Sequence, residues 1–262
     1  MNAAAEPMVE MKGVKLQFGE KKVLQGVDLK LAKGEILVVM GASGSGKSTL
    51  LRLLLGVLPA NGGTIEFEGK DITRLSRREL NEVRTKIGMV FQNAALISSM
   101  SVGANLAVPL EELSDKKNSE WDQAIEEKLN WVDLKDAKEK LPEELSGGMR
   151  KRAGLARALM LDPELVLFDE PSAGLDPKNS ALIDRLILDL KEKHEVTSIV
   201  VTHEMDSAFA VATRMVMLHE GKIVQSGTPE EFKKSENPVV REFLAAYLDP
   251  EKRKESHANS QK

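Results

Sequence analysis

The run Gly41-Ala42-Ser43-Gly44-Ser45-Gly46-Lys47-Ser48 fits the spacing G-x-x-x-x-G-K-[ST] in full. Glycines there let successive backbone N–H groups turn inward around phosphate oxygens, Lys47 adds a point charge for the β and γ phosphates, and Ser48, followed by Thr49, offers a hydroxyl to Mg²⁺. A second set of oxygens ends the apolar run Leu165-Val166-Leu167-Phe168-Asp169-Glu170. Mg²⁺ takes hard oxygen ligands and retains waters, so Asp169 can hold it directly or through water, opposite Ser48. Glu170 points elsewhere and is expected to act as general base, taking a proton from the water that attacks the γ phosphate. His203 follows the run Ser198 to Thr202, where a ring nitrogen can bond the γ phosphate and help orient Glu170. Gln92, just beyond Ile87 to Phe91, carries an uncharged amide that can touch Mg²⁺ or the lytic water; taken alone, it also suits a solvated loop. Phe18 can stack on adenine with little regard to base identity, or serve as an ordinary strand aromatic.

A second glycine-rich segment lies far from the first. Leu145-Ser146-Gly147-Gly148-Met149 precedes the helical pattern Arg150 to Met160, so Ser146 and the amides of Gly147 and Gly148 sit at a helix N-terminus. That is an anion site with no anion assigned within its own chain. It must face phosphates held elsewhere, and a partner copy is the expected owner.

These side chains need elements to hold them. Ile36 to Met40 is a continuous apolar run, the pattern of a strand buried on both faces. It feeds the phosphate loop and then Thr49 to Leu58, helical in pattern. Val14 to Phe18, Val23 to Leu31 and Gly62 to Phe67 read as an antiparallel edge wrapped on a parallel core. Further buried strands are expected at Ile87 to Phe91, Leu165 to Phe168, Ser198 to Val201 and Met215 to Leu218, with helices between them. From Gln92 to Asp162 the texture turns helical, at Val102 to Leu110, Trp121 to Val132 and Gly148 to Met160, which suggests a helical insertion. The apolar, Ser-rich stretch Ala94 to Leu110 suits packing inside that insertion, a groove for a membrane partner's short helix, or both. Val240, Phe243, Leu244, Tyr247 and Leu248 form an amphipathic segment expected to dock on its own domain, and the polar tail from Asp249 is expected to be disordered.

Composition removes several function classes. Lys and Arg total 37 against 41 Asp and Glu, a net charge of −4, so no global basic field draws nucleic acid or anionic lipid. The absence of cysteine excludes disulfides and thiolate metal sites and fits a reducing compartment. Met1 to Met8 lacks a basic and apolar leader pattern, and runs such as Leu50 to Leu58, broken by Arg52 and Gly56, fall short of the roughly 18–20 residues that span a bilayer. A membrane role would therefore run through a partner.

Taken together, these residues resemble the nucleotide-binding subunit of an ABC transporter, over about Val9 to Phe232. The resemblance implies an α/β, RecA-like P-loop NTPase with a mixed sheet core, an antiparallel β edge and an inserted helical subdomain. It implies one ATPase domain over 8–235, its α/β core from 8–92 and 161–235 and its helical subdomain from 93–160, with a C-terminal segment over 236–262. ATP and Mg²⁺ are the implied cofactors. Gln92 becomes the Q-loop residue, Leu145 to Met149 the signature, Ser172-Ala173-Gly174-Leu175-Asp176 the D-loop and His203 the switch histidine. Phe18 stands where many relatives carry Tyr. Two copies facing head to tail would each supply Ser146, Gly147, Gly148 and Met149 to the other's ATP, and transmembrane permease subunits would dock near Gln92 to Leu110, placing the chain peripherally on the cytoplasmic face of an inner membrane.

A finer resemblance is to the ATPases of MCE-associated, Mla-type phospholipid transport systems. It rests on Leu145-Ser146-Gly147-Gly148-Met149-Arg150-Lys151-Arg152, with Met149 where many relatives carry Gln, on Phe91-Gln92-Asn93-Ala94-Ala95-Leu96, and on Asn237 to Leu244. It implies an MCE lipid-binding protein as a further partner. Competing readings are an ATPase of a polar-solute importer or of a lipoprotein-release machine, and a soluble ABC ATPase acting on DNA ends, ribosomes or chromosomes. The last would call for a long coiled coil, a basic surface or two ATPase units in one chain, none of which the sequence contains. A GTPase is disfavoured by the lack of an Asn-Lys-x-Asp motif.

Overall fold

The computed structural model describes residues 6–114 and 118–248; the expectation for the tail from Asp249 falls outside them. In chain order the elements are β1 (Val9–Phe18), β2 (Lys21–Leu31), β3 (Ile36–Met40), α1 (Lys47–Leu54), β4 (Gly62–Phe67), β5 (Lys70–Asp71), α2 (Arg77–Thr85), β6 (Ile87–Val90) and α3 (Val102–Leu113). They continue with α4 (Asn118–Trp131), α5 (Gly147–Ala158), β7 (Leu165–Asp169), α6 (Pro177–His194), β8 (Thr197–Val201), α7 (Met205–Val211), β9 (Arg214–His219), β10 (Lys222–Gly227), α8 (Pro229–Lys233) and α9 (Pro238–Leu248).

Alternation of apolar and polar residues in β1 and β2 buries one face and wets the other, and the two strands pair antiparallel with Phe18 opposite Lys21. They belong to a four-stranded antiparallel sheet ordered β2-β1-β4-β5. The unbroken apolar runs instead build a six-stranded sheet ordered β10-β9-β3-β8-β7-β6, in which β9, β3, β8, β7 and β6 are parallel and β10 is antiparallel to β9. The architecture is thus the expected mixed α/β one.

Coverage of both faces explains why those strands carry no polar alternation. Ile36, Val38, Met40, Val166, Phe168 and Val200 point into one core, shared with α3 to α9. Leu37, Val39, Leu165, Leu167, Ile199 and Val201 point into another, shared with α1 and the antiparallel sheet. Each such side chain contributes about 1.5–3 kcal/mol relative to exposure, so a one-residue slip of any strand would exchange two cores at once.

Helices α3, α4 and α5 follow β6 and precede β7. Val102, Leu106 and Leu110 are buried, so these residues of the Ala94 to Leu110 stretch do pack inside. Buried Asn105 accepts a hydrogen bond from the Ile97 N–H at 2.7 Å and donates to the carbonyls of Ile97, Met100 and Ser101, which ties the loop after β6 to α3. Phe91 and Ile97 remain exposed. At the C-terminal end Val240 and Leu244 are fully buried and Phe243 packs against the same core, so the amphipathic segment docks on its own chain.

Several boundaries differ from the sequence expectation. The helix expected at Thr49 to Leu58 is Lys47–Leu54, because left-handed Gly46 caps it inside the phosphate loop and left-handed Gly56 follows its end. Strand β6 stops at Val90, and the helix expected at Gly148 to Met160 is Gly147–Ala158. Helices α2 and α8 and strands β5 and β10 were not anticipated. Both helices carry a full capping box, Ser76 with Glu79 and Thr228 with Glu231, a sequence signal that was available.

The helix after His203 is anchored by a buried polar contact. Ser207 Oγ on α7 donates to Asp184 Oδ2 on α6 at 2.9 Å. Burial pushes the Asp184 carboxyl up to about 6; the Ser207 hydrogen bond opposes the shift, and the charges of Glu204 and Asp206 add to it. A carboxyl raised on folding binds more protons folded than unfolded, so stability falls as pH rises from the ordinary carboxylate range to about 6 and the penalty is complete above it. Asp184→Asn is therefore expected to stabilise the protein by about 1–2 kcal/mol at neutral pH, after allowance for the solvent that reaches the group, with the gain shrinking toward pH 4. Urea denaturation across that pH range checks it.

Candidate active site

Four loops leave the C-terminal ends of β3, β8, β7 and β6, which lie side by side in that order. They carry the phosphate loop, His203, Asp169 with Glu170, and Gln92 respectively. Ligands of open parallel sheets bind along this edge, because helix N-termini and freed backbone amides converge there.

The phosphate loop is shaped by contacts that only glycine allows. At Gly41, with φ at +151°, a Cβ would overlap the Leu218 carbonyl oxygen. At Gly46, with φ at +106°, a Cβ would lie 2.9 Å from the Leu24 side chain. Ala42, Ser43 and Gly44 form the exposed rim. Lys47 is buried and its ammonium donates to the carbonyls of Gly41 at 2.8 Å and Ala42 at 3.1 Å. Burial lowers its pKa, and the negative charges of Glu170 and Asp169 act in the opposite direction. Ser45 Oγ is buried with no hydrogen-bond partner, an unsatisfied hydroxyl inside the cradle.

Ser48 Oγ donates to Asp169 Oδ1 at 2.7 Å, which joins the start of α1 to the end of β7. Glu170 adopts a left-handed backbone with φ at +50° that lifts it out of the strand, and its Oε2 lies 2.8 Å from His203 Nδ1. The His203 backbone N–H donates to the same oxygen at 3.3 Å. The hydrogen bond from Glu170, aided by its charge and that of Glu204, raises the His203 pKa; desolvation and Lys47 oppose the shift. Gln92 is exposed in the turn after β6. Phe18 is 53% exposed, so it is not a core aromatic; it ends the same hairpin whose Val23 and Leu24 press on Gly46.

These residues suit a magnesium-bound nucleoside triphosphate. A glycine cradle with an unpartnered buried hydroxyl and a desolvated ammonium matches phosphate oxygens, and a hydroxyl beside a single carboxylate matches an ion that keeps its waters. No group of three or more His, Cys, Asp or Glu with metal-holding geometry occurs among the described residues.

Ser146 to Met149 are placed elsewhere. Ser146 caps α5 by accepting from the Met149 N–H at 3.3 Å, and Ser146 and Gly147 are exposed. A Cβ at Gly148 would come within 2.6 Å of Asn179 Oδ1, and one at Gly147 within 3.8 Å of Leu175. Asn179 in turn bonds Asp176, which caps α6 through the N–H groups of Lys178 and Asn179. Among the described residues Gly147 and Gly148 thus lie near Leu175 and α6, and no contact described for Ser146 to Met149 reaches the phosphate loop. Two basic residues of α5 had no anticipated part: Lys151 reaches the carbonyls of Glu170 and Ala173, and Arg157 those of Ala94 and Ala95.

Fold and edge together define a P-loop NTPase. Residues 24–173, more than half of the chain, match the family model described as ABC transporter. The chain belongs to the ABC transporter family and is an ABC-type ATPase cassette. It is 44% identical over 236 residues to the "Probable ribonucleotide transport ATP-binding protein mkl" of Mycobacterium leprae, covering 90% of this chain and 68% of that protein. Across 242 residues it is 40% identical to the intermembrane phospholipid transport system ATP-binding protein MlaF of Haemophilus influenzae, covering 92% of each. Among solved structures it superposes on cbiO1 of Clostridium perfringens, part of the ABC transporter complex cbiONQ, with a TM-score of 0.81 and 27% identity over 92% of this chain and 95% of that one. The dimeric ATP-binding cassette MJ0796 bound to ADP and Pi gives a TM-score of 0.78 and 31% identity over 85% of this chain and 99% of that one.

Two outcomes follow from the geometry. Because the folded pKa of His203 is raised, the stabilising pair with Glu170 is fully present at acidic pH and is lost as pH rises through that value; NMR titration should place His203 above an ordinary histidine, and Glu170→Gln should bring it down. Gly41→Ala should cost both stability and nucleotide binding, read by thermal melting with and without ATP, since the clash is with backbone rather than a movable side chain.

Proposed function

We propose that this chain is the ATP-hydrolysing subunit of a phospholipid transporter of the Mla type, working as a pair on the cytoplasmic face of an inner membrane beneath its permease. The observation that carries the paired arrangement is the exposed N-terminus of α5, where Gly147 and Gly148 lie near Leu175 and Asn179 and no described contact joins Ser146 to Gly148 to their own chain's phosphate loop. In a head-to-tail dimer, Ser146, Gly147 and Gly148 of each copy face the γ phosphate held by the other, and Asp176 lies beside the seam. Dimeric cassettes among the structural neighbours support this reading.

In each composite site Phe18 stacks on adenine, the amides from Gly41 to Thr49 surround the phosphates, and Lys47 binds the β and γ oxygens. Ser48 and Asp169, joined at 2.7 Å, together with Gln92 would hold Mg²⁺, which would supply positive charge to the same oxygens. Glu170 accepts the proton of the attacking water, and His203 holds the carboxylate by the contact already present at 2.8 Å. Signature amides stabilise γ-phosphate charge from across the seam, as an arginine finger does in other NTPases. Closure and reopening of the pair pass to the permease through the segment from Gln92 to Leu110, where exposed Ile97, and Phe91 just before the segment, offer apolar surface.

Lipid as cargo is supported by the Haemophilus relative, which matches this chain nearly end to end. Roughly a third of the mycobacterial protein lies beyond the matched part. The ATPase does not touch cargo, so partners decide the question: an MCE-domain protein co-purifying with the chain from its native membrane supports lipid, and a solute-binding protein overturns it.

The pair itself has a separate check. Glu170→Gln should lower kcat by about 10²–10⁴ while ATP still binds and holds a dimer on size exclusion. Mixing it with Ser146→Arg places both lesions in one composite site and leaves the other whole. Hydrolysis should therefore reappear in a mixture of two inactive proteins; sites built within single chains would give none.

A further inference from the structure

Helix α5 begins at the signature and, one turn on, meets the loop that bears the general base. The turn Glu170-Pro171-Ser172-Ala173 is closed by the Ala173 N–H donating to the Glu170 carbonyl at 3.3 Å. The Lys151 ammonium donates to both ends of that turn, to the Glu170 carbonyl at 3.2 Å and the Ala173 carbonyl at 2.7 Å. Glu170 needs such restraint, because its φ of +50° is a conformation that a non-glycine residue leaves unless its surroundings fix it. Pro171 contributes no N–H to help.

A charged donor is stronger here than a neutral one, and the environment sharpens the effect. Burial lowers the Lys151 pKa, opposed by Glu204 and Glu170, so the ammonium is partly stripped of water and the two carbonyls replace hydration it has lost. Further along the same helix, Arg157 donates to the carbonyls of Ala95 at 2.7 Å and Ala94 at 3.1 Å, just past Gln92. Those two alanines are also left-handed, with φ of +50° and +58°. One helix thus grips both left-handed turns that follow the neighbouring strands β7 and β6.

We propose that Lys151 is a positioning residue for Glu170: it clamps the base-bearing turn to the signature helix, so that the carboxylate is aligned for catalysis only when α5 is seated. The inference rests on Glu170 being the general base. The two hydrogen bonds of Lys151 go to backbone carbonyls of the turn after β7, so its effect falls on turnover and not on nucleotide binding.

Steady-state hydrolysis by the full-length chain and its variants tests it. Lys151→Met should lower kcat by about ten- to a hundredfold with KM for ATP within about twofold, as expected when a catalytic group is displaced by a fraction of an ångström. Lys151→Arg, whose guanidinium can reach the same two carbonyls, should retain most of the rate. In a Glu170→Gln background, adding Lys151→Met should cost no further activity, because the two changes act through one group. An unchanged kcat in Lys151→Met, an equal loss in the Arg variant, or a full additional loss in the double variant each overturns the proposal. If the Met variant does not fold, Lys151→Gln is measured against the same criteria. Wild-type turnover by Glu170→Gln alone would instead remove the general-base reading, a separate failure.

Discussion

One rank of parallel pairing sets the active edge. Val39 of β3 lies opposite Val201 of β8, and Val201 lies opposite Asp169 of β7. From that rank each chain needs only one or two more residues to reach Gly41, His203 and Glu170, so the register of buried strands fixes where the polar groups emerge. The register is held by alternate side chains dropping into two separate cores, which makes slippage costly on both faces. The short contacts between Ser48 and Asp169 and between Glu170 and His203 are consequences of that alignment.

Polar groups along this edge are held under opposing influences. Lys47 and Lys151 are both partly desolvated, which lowers their pKa, while nearby carboxylates, Glu170 among them in each case, act the other way and backbone carbonyls accept from both. Glu170 in turn is gripped through its side chain by His203 and through its carbonyl by Lys151. Partial loss of water at Lys47 and Lys151 leaves those charges dependent on their neighbours, which favours a single geometry over a family of loose ones.

Much of this was legible in the residues. Continuous apolar runs revealed the buried strands because a doubly covered sheet leaves no polar face, and the phosphate loop was readable because its glycines serve backbone geometry directly. The edge pieces were harder. β10 is only half-buried, and β5 is two residues long, so neither imposes a strong pattern. Helices α2 and α8 have only a local signal, the capping boxes Ser76 with Glu79 and Thr228 with Glu231, and their short length leaves little apolar periodicity beside it. The parts of Lys151 and Arg157 had no local signature at all. A lysine on a helix reads as solvated until the fold brings a strand end beside it, and the contact between Lys151 and Glu170 links residues whose neighbours in sequence say nothing of each other.

On the proposed pairing the α5 terminus acts outside its own chain. Each chain lends its α5 terminus to a copy and borrows another in return, so on the proposed pairing damage at Ser146 disables a site whose phosphate loop belongs to an intact molecule. In a cell expressing two versions of the gene, a mixed pair would therefore keep one whole site and lose the other, so the defect would fall in part on sound subunits while leaving each mixed pair half its capacity.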